Sequence, residues 1–370
     1  MDGDVTAEMA GQEAGERTER PGAPPPDGSD HALAIDARGL SKSFDAHVVL
    51  RDLDLRVRAG EIFGLIGPSG SGKSTAIHLM CGHLRPTGGE VKVLGESPTA
   101  FSARTRRRIG YMPQGFILYP DLTVKQNVGA AAGLYELPEW RNRGRIRAVL
   151  DLVELWDARG QAARSLSGGM RRRLALAAAI VHDPDMLFAD EPTANLDPIL
   201  RSKLWNHFRD MSAAGKTLLV TTQYIDEVES CDRVGLTYDG KMIAEGRPEE
   251  LRRDAFGGDV VEVDLERPSQ QDIDTVRQLP WVRSVSTAMM DGDKREKEPH
   301  VSLRVVVEDA RQAIPQLLDA IEASGAEVRS VGQFRPTFDE VFVRLIERQG
   351  ARRPPLAALR AHGEPGPEDT

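Results

Sequence analysis

Between residues 67 and 74 the chain reads Gly-Pro-Ser-Gly-Ser-Gly-Lys-Ser, three glycines closing on a lysine and a hydroxyl. That combination suits the cradling of phosphates. The apolar run from Glu61 to Ile66 reads as a buried strand and Lys73 to Cys81 as a helix, which puts Gly67, Gly70 and Gly72 in the turn between them. Glycine there permits positive φ and lets backbone N–H groups face an anion with no Cβ in the way. The N-terminus of the following helix adds partial positive charge, so the turn from Gly67 through Pro68, Ser69 and Ser71 to Gly72 would hold a triphosphate by backbone and dipole together. Lys73 would reach the β- and γ-phosphates, and the Ser74 hydroxyl would ligate Mg²⁺.

A second group of residues completes such a reaction. The apolar run Met186 to Ala189 ends in Asp190-Glu191-Pro192-Thr193. One carboxylate, Asp190, would hold the metal from the other side, directly or through water; the other, Glu191, is the candidate general base or water-orienting group. Asp197 stands before Pro198 at the start of a helix, which alone reads as an N-cap. Between the two groups lies Leu166-Ser167-Gly168-Gly169-Met170.

The order of glycine-rich turn, Ser-Gly-Gly element and acidic strand resembles the ATP-binding subunits of ABC (ATP-binding cassette) transporters. The resemblance implies a cassette of the α/β P-loop NTPase class, with RecA-like core, β subdomain and helical subdomain. It further implies that ATP is held by Phe44, Gly67 to Gly72, Lys73, Ser74, Thr75 and Gln114, and by Ser167, Gly168 and Gly169 of a second copy. Asp197 falls at the family's D-loop position, a role compatible with the N-cap. Gln114, after the short strand Ile109–Met112, matches the Q-loop glutamine that senses Mg²⁺, so the implied metal set is Ser74, Gln114 and Asp190. Gln223 stands where most members carry the switch histidine and joins Glu191 and Lys73 as a candidate catalytic group; the sequence alone also allows it to cap a helix beginning near Tyr224. Phe44 sits where the family stacks an aromatic ring on adenine, although a lone Phe beside a strand also suits a core.

Met170 and Gln223, with Tyr111 to Gly115 and Leu118 to Thr123, resemble the daunorubicin-resistance branch of drug-export ATPases, as does Thr-Phe-Asp-Glu-Val-Phe at 337–342. The resemblance covers residues from about 33 to 346. Members of that branch pair with a separate ABC-2 type permease, which implies export, an ATP-sandwich homodimer, and a chain at the cytoplasmic face of the membrane, reached only through the permease.

These residues need elements to position them. The segment from Val124 to Arg164 is helix-patterned, with Ile146, Val149, Leu150 and Val153 spaced by three and four. Beyond the cassette, assigned to 32–255, the pattern predicts a strand at Asp259–Glu266, a helix at Gln270–Leu279, strands at Val282–Ala288 and Val301–Val307, a helix at Arg311–Ala323 and a strand at Glu327–Phe334. That is the β-α-β-β-α-β order of a small α+β ferredoxin-like domain, assigned to 256–347, with the polar stretch Asp291–Glu298 as a hairpin loop. A last helix presents Phe338, Val341, Phe342 and Leu345 on one face, toward the sheet or a second subunit. Residues 1–31 and 348–370 are rich in Gly, Pro, Ala and charge and are expected to be disordered.

Across 370 residues no apolar run reaches the eighteen or so needed to cross a bilayer, and the acidic, proline-bearing start lacks the layout of a signal peptide. Two cysteines argue against a disulfide framework, and a net charge of −9 gives no reason to expect nucleic acid as a partner. His78, Cys81 and His83 fall at the end of one helix and read as packing rather than as a metal site. Arg171, Arg172 and Arg173 oppose the dipole of the helix they begin, which calls for a compensating anion or acidic surface. Two other readings stand beside export: an importer ATPase whose C-terminal domain senses a metabolite, and a soluble cassette ATPase, the latter without the paired cassettes or zinc-binding cysteines usual there.

Overall fold

The computed structural model describes residues 32–115, 118–135, 139–266, 269–288 and 300–348. The chain opens with β1 (Leu33–Phe44) and β2 (His47–Arg58); β3 (Ile62–Ile66) then leads through the glycine-rich turn into α1 (Lys73–Met80). Next come β4 (Gly88–Val93), the single turn α2 (Ala103–Arg106), β5 (Ile109–Met112), α3 (Val124–Leu134) and α4 (Glu139–Leu152). They are followed by α5 (Gly168–Ile180), β6 (Met186–Asp190), α6 (Pro198–Ala213) and β7 (Thr217–Thr222). β8 (Arg233–Tyr238), β9 (Lys241–Gly246) and α7 (Pro248–Phe256) complete this part. The remainder is β10 (Asp259–Glu266), α8 (Gln270–Arg277), β11 (Val282–Ala288), β12 (His300–Val307), α9 (Ala310–Ser324), β13 (Glu327–Phe334) and α10 (Phe338–Arg348).

The central sheet has the order β5-β6-β7-β3-β8-β9, parallel except for the last pair. Every residue of β3, β6 and β7 is buried, as strands covered on both faces must be. Phe63, Leu65, Met186, Phe188 and Leu219 face β1, β2 and α1, while Ile62, Ile66, Leu187, Ala189, Leu218 and Val220 face α5 and α6. The loops that leave β3 and β6 therefore emerge on the same edge of the sheet, at the carboxyl ends of its strands, where α/β sheets form their crevice. A separate antiparallel sheet, β2-β1-β4, holds Phe44 at the end of β1.

The C-terminal sheet has the order β11-β12-β10-β13, antiparallel throughout, which is the ferredoxin-like arrangement. One face, with Val261, Val263, Leu303 and Val305, packs on α8 and α9 through Val276, Ala313, Leu317 and Ile321. The other face supplies Val260, Val306 and Phe334 to a cluster that contains Leu251, Ala255 and Phe256 of α7, and Phe338, Val341, Phe342, Leu345 and Ile346 of α10. That same cluster continues through Val228, Cys231, Val234 and Leu236 into the central sheet. The α10 stripe thus meets its own chain: it rests on α7 and on the 3-10 segment Ile225–Ser230, as well as on the C-terminal sheet. Arg252, almost fully buried, ties the junction by donating to the Pro336 carbonyl at 3.1 Å and pairing with Glu229 and Glu249.

Among its described residues Val124–Arg164 carries α3 and α4, as its pattern predicts; α4 ends at Leu152, and Glu154 turns left-handed at φ 55°. Two expectations change. The position 255/256 lies in the last turn of α7 rather than between elements. Arg348 is the last residue of α10; the other residues read as tails, and the 291–298 loop, lie outside the described residues. Among the described residues no helix is long and apolar enough to cross a membrane.

Candidate functional site

In the glycine-rich turn, Gly70 (φ 80°) and Gly72 (φ 97°) take the left-handed conformation that glycine alone adopts without strain. Gly67 does not, contrary to the expectation from sequence. A Cβ on it would lie 2.2 Å from the Thr237 carbonyl oxygen and 2.6 Å from Thr237 Oγ1. It is small because β8 passes against it. Thr237 Oγ1 donates to the Ile66 carbonyl at 3.1 Å and shares a hydrogen bond with Ser71 Oγ at 3.0 Å, fastening the turn to the sheet. Pro68 is half-buried, and Ser69 and Gly70 are exposed at the crest.

Lys73 is 5% exposed, and its ammonium donates to the carbonyls of Gly67 at 2.7 Å and Pro68 at 2.9 Å. Burial lowers its pKa to about 8, against the opposing pull of Glu191 and Asp190. Ser74 and Thr75, half-buried, follow in the first turn of α1.

Asp190 ends β6 and is 1% exposed; its Oδ1 accepts from Thr221 Oγ1 of β7 at 2.5 Å. Thr221 also fixes the next residue, because the Glu191 N–H donates to its Oγ1 at 3.0 Å and to its carbonyl at 3.1 Å. Glu191 is left-handed at φ 50°, a conformation a branched-free side chain adopts only at a cost of about 1–2 kcal/mol. Its carboxylate is gripped from both sides: Gln114 Nε2 donates to Oε2 at 3.1 Å and Gln223 Nε2 to Oε1 at 2.5 Å. Gln223 caps no helix, since the 3-10 turn that follows has Tyr224 at its cap and no side-chain cap bond.

Ser167 caps α5, accepting from the Met170 N–H at 3.3 Å, and Ser167 and Gly168 are exposed while Gly169 is half-buried. Of the arginines after them, Arg172 finds carbonyls, while Arg173 finds a carbonyl and the carboxylate of Glu154, part of the acidic surface expected. Arg172 donates through Nη1 to the Gln114 carbonyl at 2.8 Å, and through Nη2 to the carbonyls of Asp190, at 2.8 Å, and Glu191. Arg173 donates to the Val153 carbonyl at 3.2 Å and lies 3.9 Å from Glu154. Asp197 caps α6 through the Leu200 N–H at 3.0 Å, and that bond holds its carboxyl below the usual range. Phe44 is 44% exposed with Lys42 Nζ 5.0 Å from its ring centre, which rules out a core role and leaves a face able to stack.

One geometry therefore joins Lys73, Asp190, Glu191, Gln114 and Gln223, while Phe44 and Ser167 to Gly169 stand at exposed margins. The sequence reading gave no role to Thr221 or Thr237 and noted Arg172 only as a charge opposing a helix dipole. Each is a polar residue on a buried face, a signal visible only once the strands and helices are placed. His78, Cys81 and His83 lie in packed surroundings: His78 bonds the Tyr111 hydroxyl at 3.0 Å, the His83 ring sits 4.9 Å from that of Tyr111, and Cys81 packs on the core beneath β1 and β2. Ser74, Asp190 and Gln114 would offer oxygen donors alone, which fits a hard cation such as Mg²⁺ completed by phosphate and water.

Comparison with known proteins follows the same division. Residues 50–194 match the family "ABC transporter", and residues 246–346 match "ATP-binding protein DrrA1-3-like, C-terminal domain". A daunorubicin resistance ATP-binding protein of Streptomyces coeruleorubidus is 35% identical over 86% of this chain and 96% of its own. A probable multidrug ABC transporter ATP-binding protein of Escherichia coli is 41% identical over 61% of this chain; the match spans only 39% of that relative. Among solved structures, an ATP-binding subunit of an ABC transporter matches at TM-score 0.56 and 29% identity, covering 61% of this chain and 94% of its own. A dimeric cassette in a post-hydrolysis state with ADP and Pi matches at TM-score 0.54 and 28% identity, over 58% and 98%. With its motifs in family order and both parts of the chain matched, the protein belongs to the ABC transporter ATP-binding family, in the group that carries the DrrA-like C-terminal domain.

Proposed function

We propose that this chain binds and hydrolyses ATP as the nucleotide-binding subunit of an exporter, acting as a homodimer on a separate ABC-2 type permease at the cytoplasmic face of the membrane. The observation that carries the reading is the Glu191 carboxylate, fixed by Gln114 and Gln223 beside buried Asp190 and on the same sheet edge as Lys73. A carboxylate so held can orient a water for in-line attack on the γ-phosphate and take its proton. The backbone from Gly67 to Gly72, with Lys73, Ser74 and Thr75, would hold the phosphates, and Phe44 would stack on adenine. Ser74, Asp190 and the Gln114 side chain would hold Mg²⁺, which neutralises charge on the β- and γ-oxygens when bound. Ser167, Gly168 and Gly169 would cap the nucleotide on the second copy, and Asp197 would line the seam between the two.

Export of a small amphipathic molecule is supported by the relatives, two of which are named for daunorubicin resistance and probable multidrug transport. The C-terminal sheet is packed by helices of its own chain on both faces, which supports a structural role for that unit over metabolite sensing. Glu191→Gln is the test. Turnover should fall by about a hundredfold or more while ATP binding persists and ATP-driven dimers accumulate, as read by light scattering. Turnover near the parent level would remove Glu191 from this role.

A further inference from the structure

Arg172 lies in the helix that follows the Ser-Gly-Gly element, yet none of its bonds described above goes to that element. Its two terminal nitrogens reach the carbonyls of Gln114, Asp190 and Glu191, residues from two different strand ends. A guanidinium is suited to this, because its planar fork presents several donors in fixed directions while an ammonium is a single point. Glu191 needs such a clamp. Its peptide is held left-handed, with its N–H bonded to Thr221 on one side and its carbonyl taken by Arg172 and the Ala194 N–H on the other. Gln114, which grips the Glu191 carboxylate by its side chain, is gripped at its own carbonyl by the same guanidinium.

We propose that Arg172 is a positioning residue for hydrolysis: it locks the backbones of Gln114 and Glu191 together so that the Glu191 carboxylate keeps its aim, and it does so within its own subunit rather than through the nucleotide that its helix caps on the second copy. The assignment rests on Glu191 orienting the attacking water. A misplacement of about 1 Å at such a group costs on the order of a hundredfold in rate, whereas nucleotide affinity resides in the phosphate turn.

The experiment compares Arg172→Lys and Arg172→Gln in the full chain by steady-state ATPase kinetics and thermal unfolding, and repeats both substitutions in a Glu191→Gln background by ATP-driven dimerisation. The expected result is a tenfold or greater loss of kcat with KM for ATP within about twofold, lysine failing to rescue because one amine cannot span both strand ends. In the Glu191→Gln background the dimer should form with unchanged ATP dependence. A kcat near the parent value overturns the proposal. So does loss of ATP-driven dimerisation in that background, which would assign the guanidinium to the signature helix instead. Should Arg172→Lys not fold, Arg172→Gln carries the same readouts with a neutral side chain of nearly the same reach. The parent Glu191→Gln turnover separates the two levels, since activity there sinks the role of Glu191 whatever the Arg172 variants do.

Discussion

Gln223 aims its amide at Glu191, with Nε2 donating to Oε1 at 2.5 Å from the far side of the carboxylate that Gln114 approaches. A switch glutamine would be expected to address the γ-phosphate directly; here it addresses Glu191, the group proposed to handle the water. Gln223→Ala is expected to lose turnover by about ten- to a hundredfold, the worth of one hydrogen bond to a charged group. Gln223→His, whose neutral ring keeps an N–H donor, should retain most activity. Steady-state ATPase rates of the assembled transporter decide it; an alanine variant at the parent rate would sink the idea.

Lys73 gives a titration to measure. Burial holds its pKa at about 8, so near that pH the ammonium is partly deprotonated before a phosphate arrives. A triphosphate favours the charged form, so ATP binding at pH 8 should take up about half a proton, and affinity should fall as pH rises beyond 8. Calorimetry in buffers of different ionisation enthalpy reads the uptake directly. Lys73→Arg, always charged, should abolish this component.

Phe342 is 1% exposed in the cluster shared by α10, α7 and the central sheet. Phe342→Ala is expected to destabilise the whole chain by about 3–5 kcal/mol, seen as a lower denaturation midpoint with an unchanged denaturant slope. A truncation after residue 255 removes α10 and uncovers Val228 and Leu251, so it should express poorly or aggregate. A soluble, ATP-binding truncation of parental stability would show that the shared cluster contributes little.

Glu245 and Glu61 flank Arg233, which is bonded to both. Burial outweighs that attraction and raises the Glu245 carboxyl from 4.5 to about 7; Glu61 moves in the same direction. Between about 4.5 and 7 the folded chain holds a proton that the unfolded chain has released, so stability falls as pH rises through this window. Glu245→Gln should flatten that part of the stability curve, measured as denaturation midpoints from pH 5 to 8. A slope identical to the parent would assign the dependence to other groups.

The phosphate turn, the acidic strand end and the Ser-Gly-Gly cap were legible because each chemistry demands particular residue types at short, local spacing. Gly70 and Gly72 follow from backbone conformation, which sequence can suggest; Gly67 follows from Thr237, far along the chain, which it cannot. The ferredoxin-like order was legible from the alternation of Asp259–Glu266 and the succession of helix and strand patterns after it. The apolar stripe of α10 announced burial without naming its counterpart, since periodicity carries no address. Arg172 looked like surplus charge at a helix start; its partners are carbonyls, which leave no mark in a side-chain sequence.

The cluster joining α10, α7 and the Ile225–Ser230 segment to the central sheet also bears on how such chains can be recombined. A C-terminal unit exchanged between relatives at residue 255 would arrive without the surface it was fitted to, because Val228, Glu229, Leu251 and Arg252 would stay with the recipient. A crossover upstream of Ile225 would carry this surface along, but it would also carry β8, whose Thr237 fastens the phosphate turn of the recipient. Neither cut leaves both packed surfaces with their partners, so the cassette and its C-terminal unit exchange best as one piece.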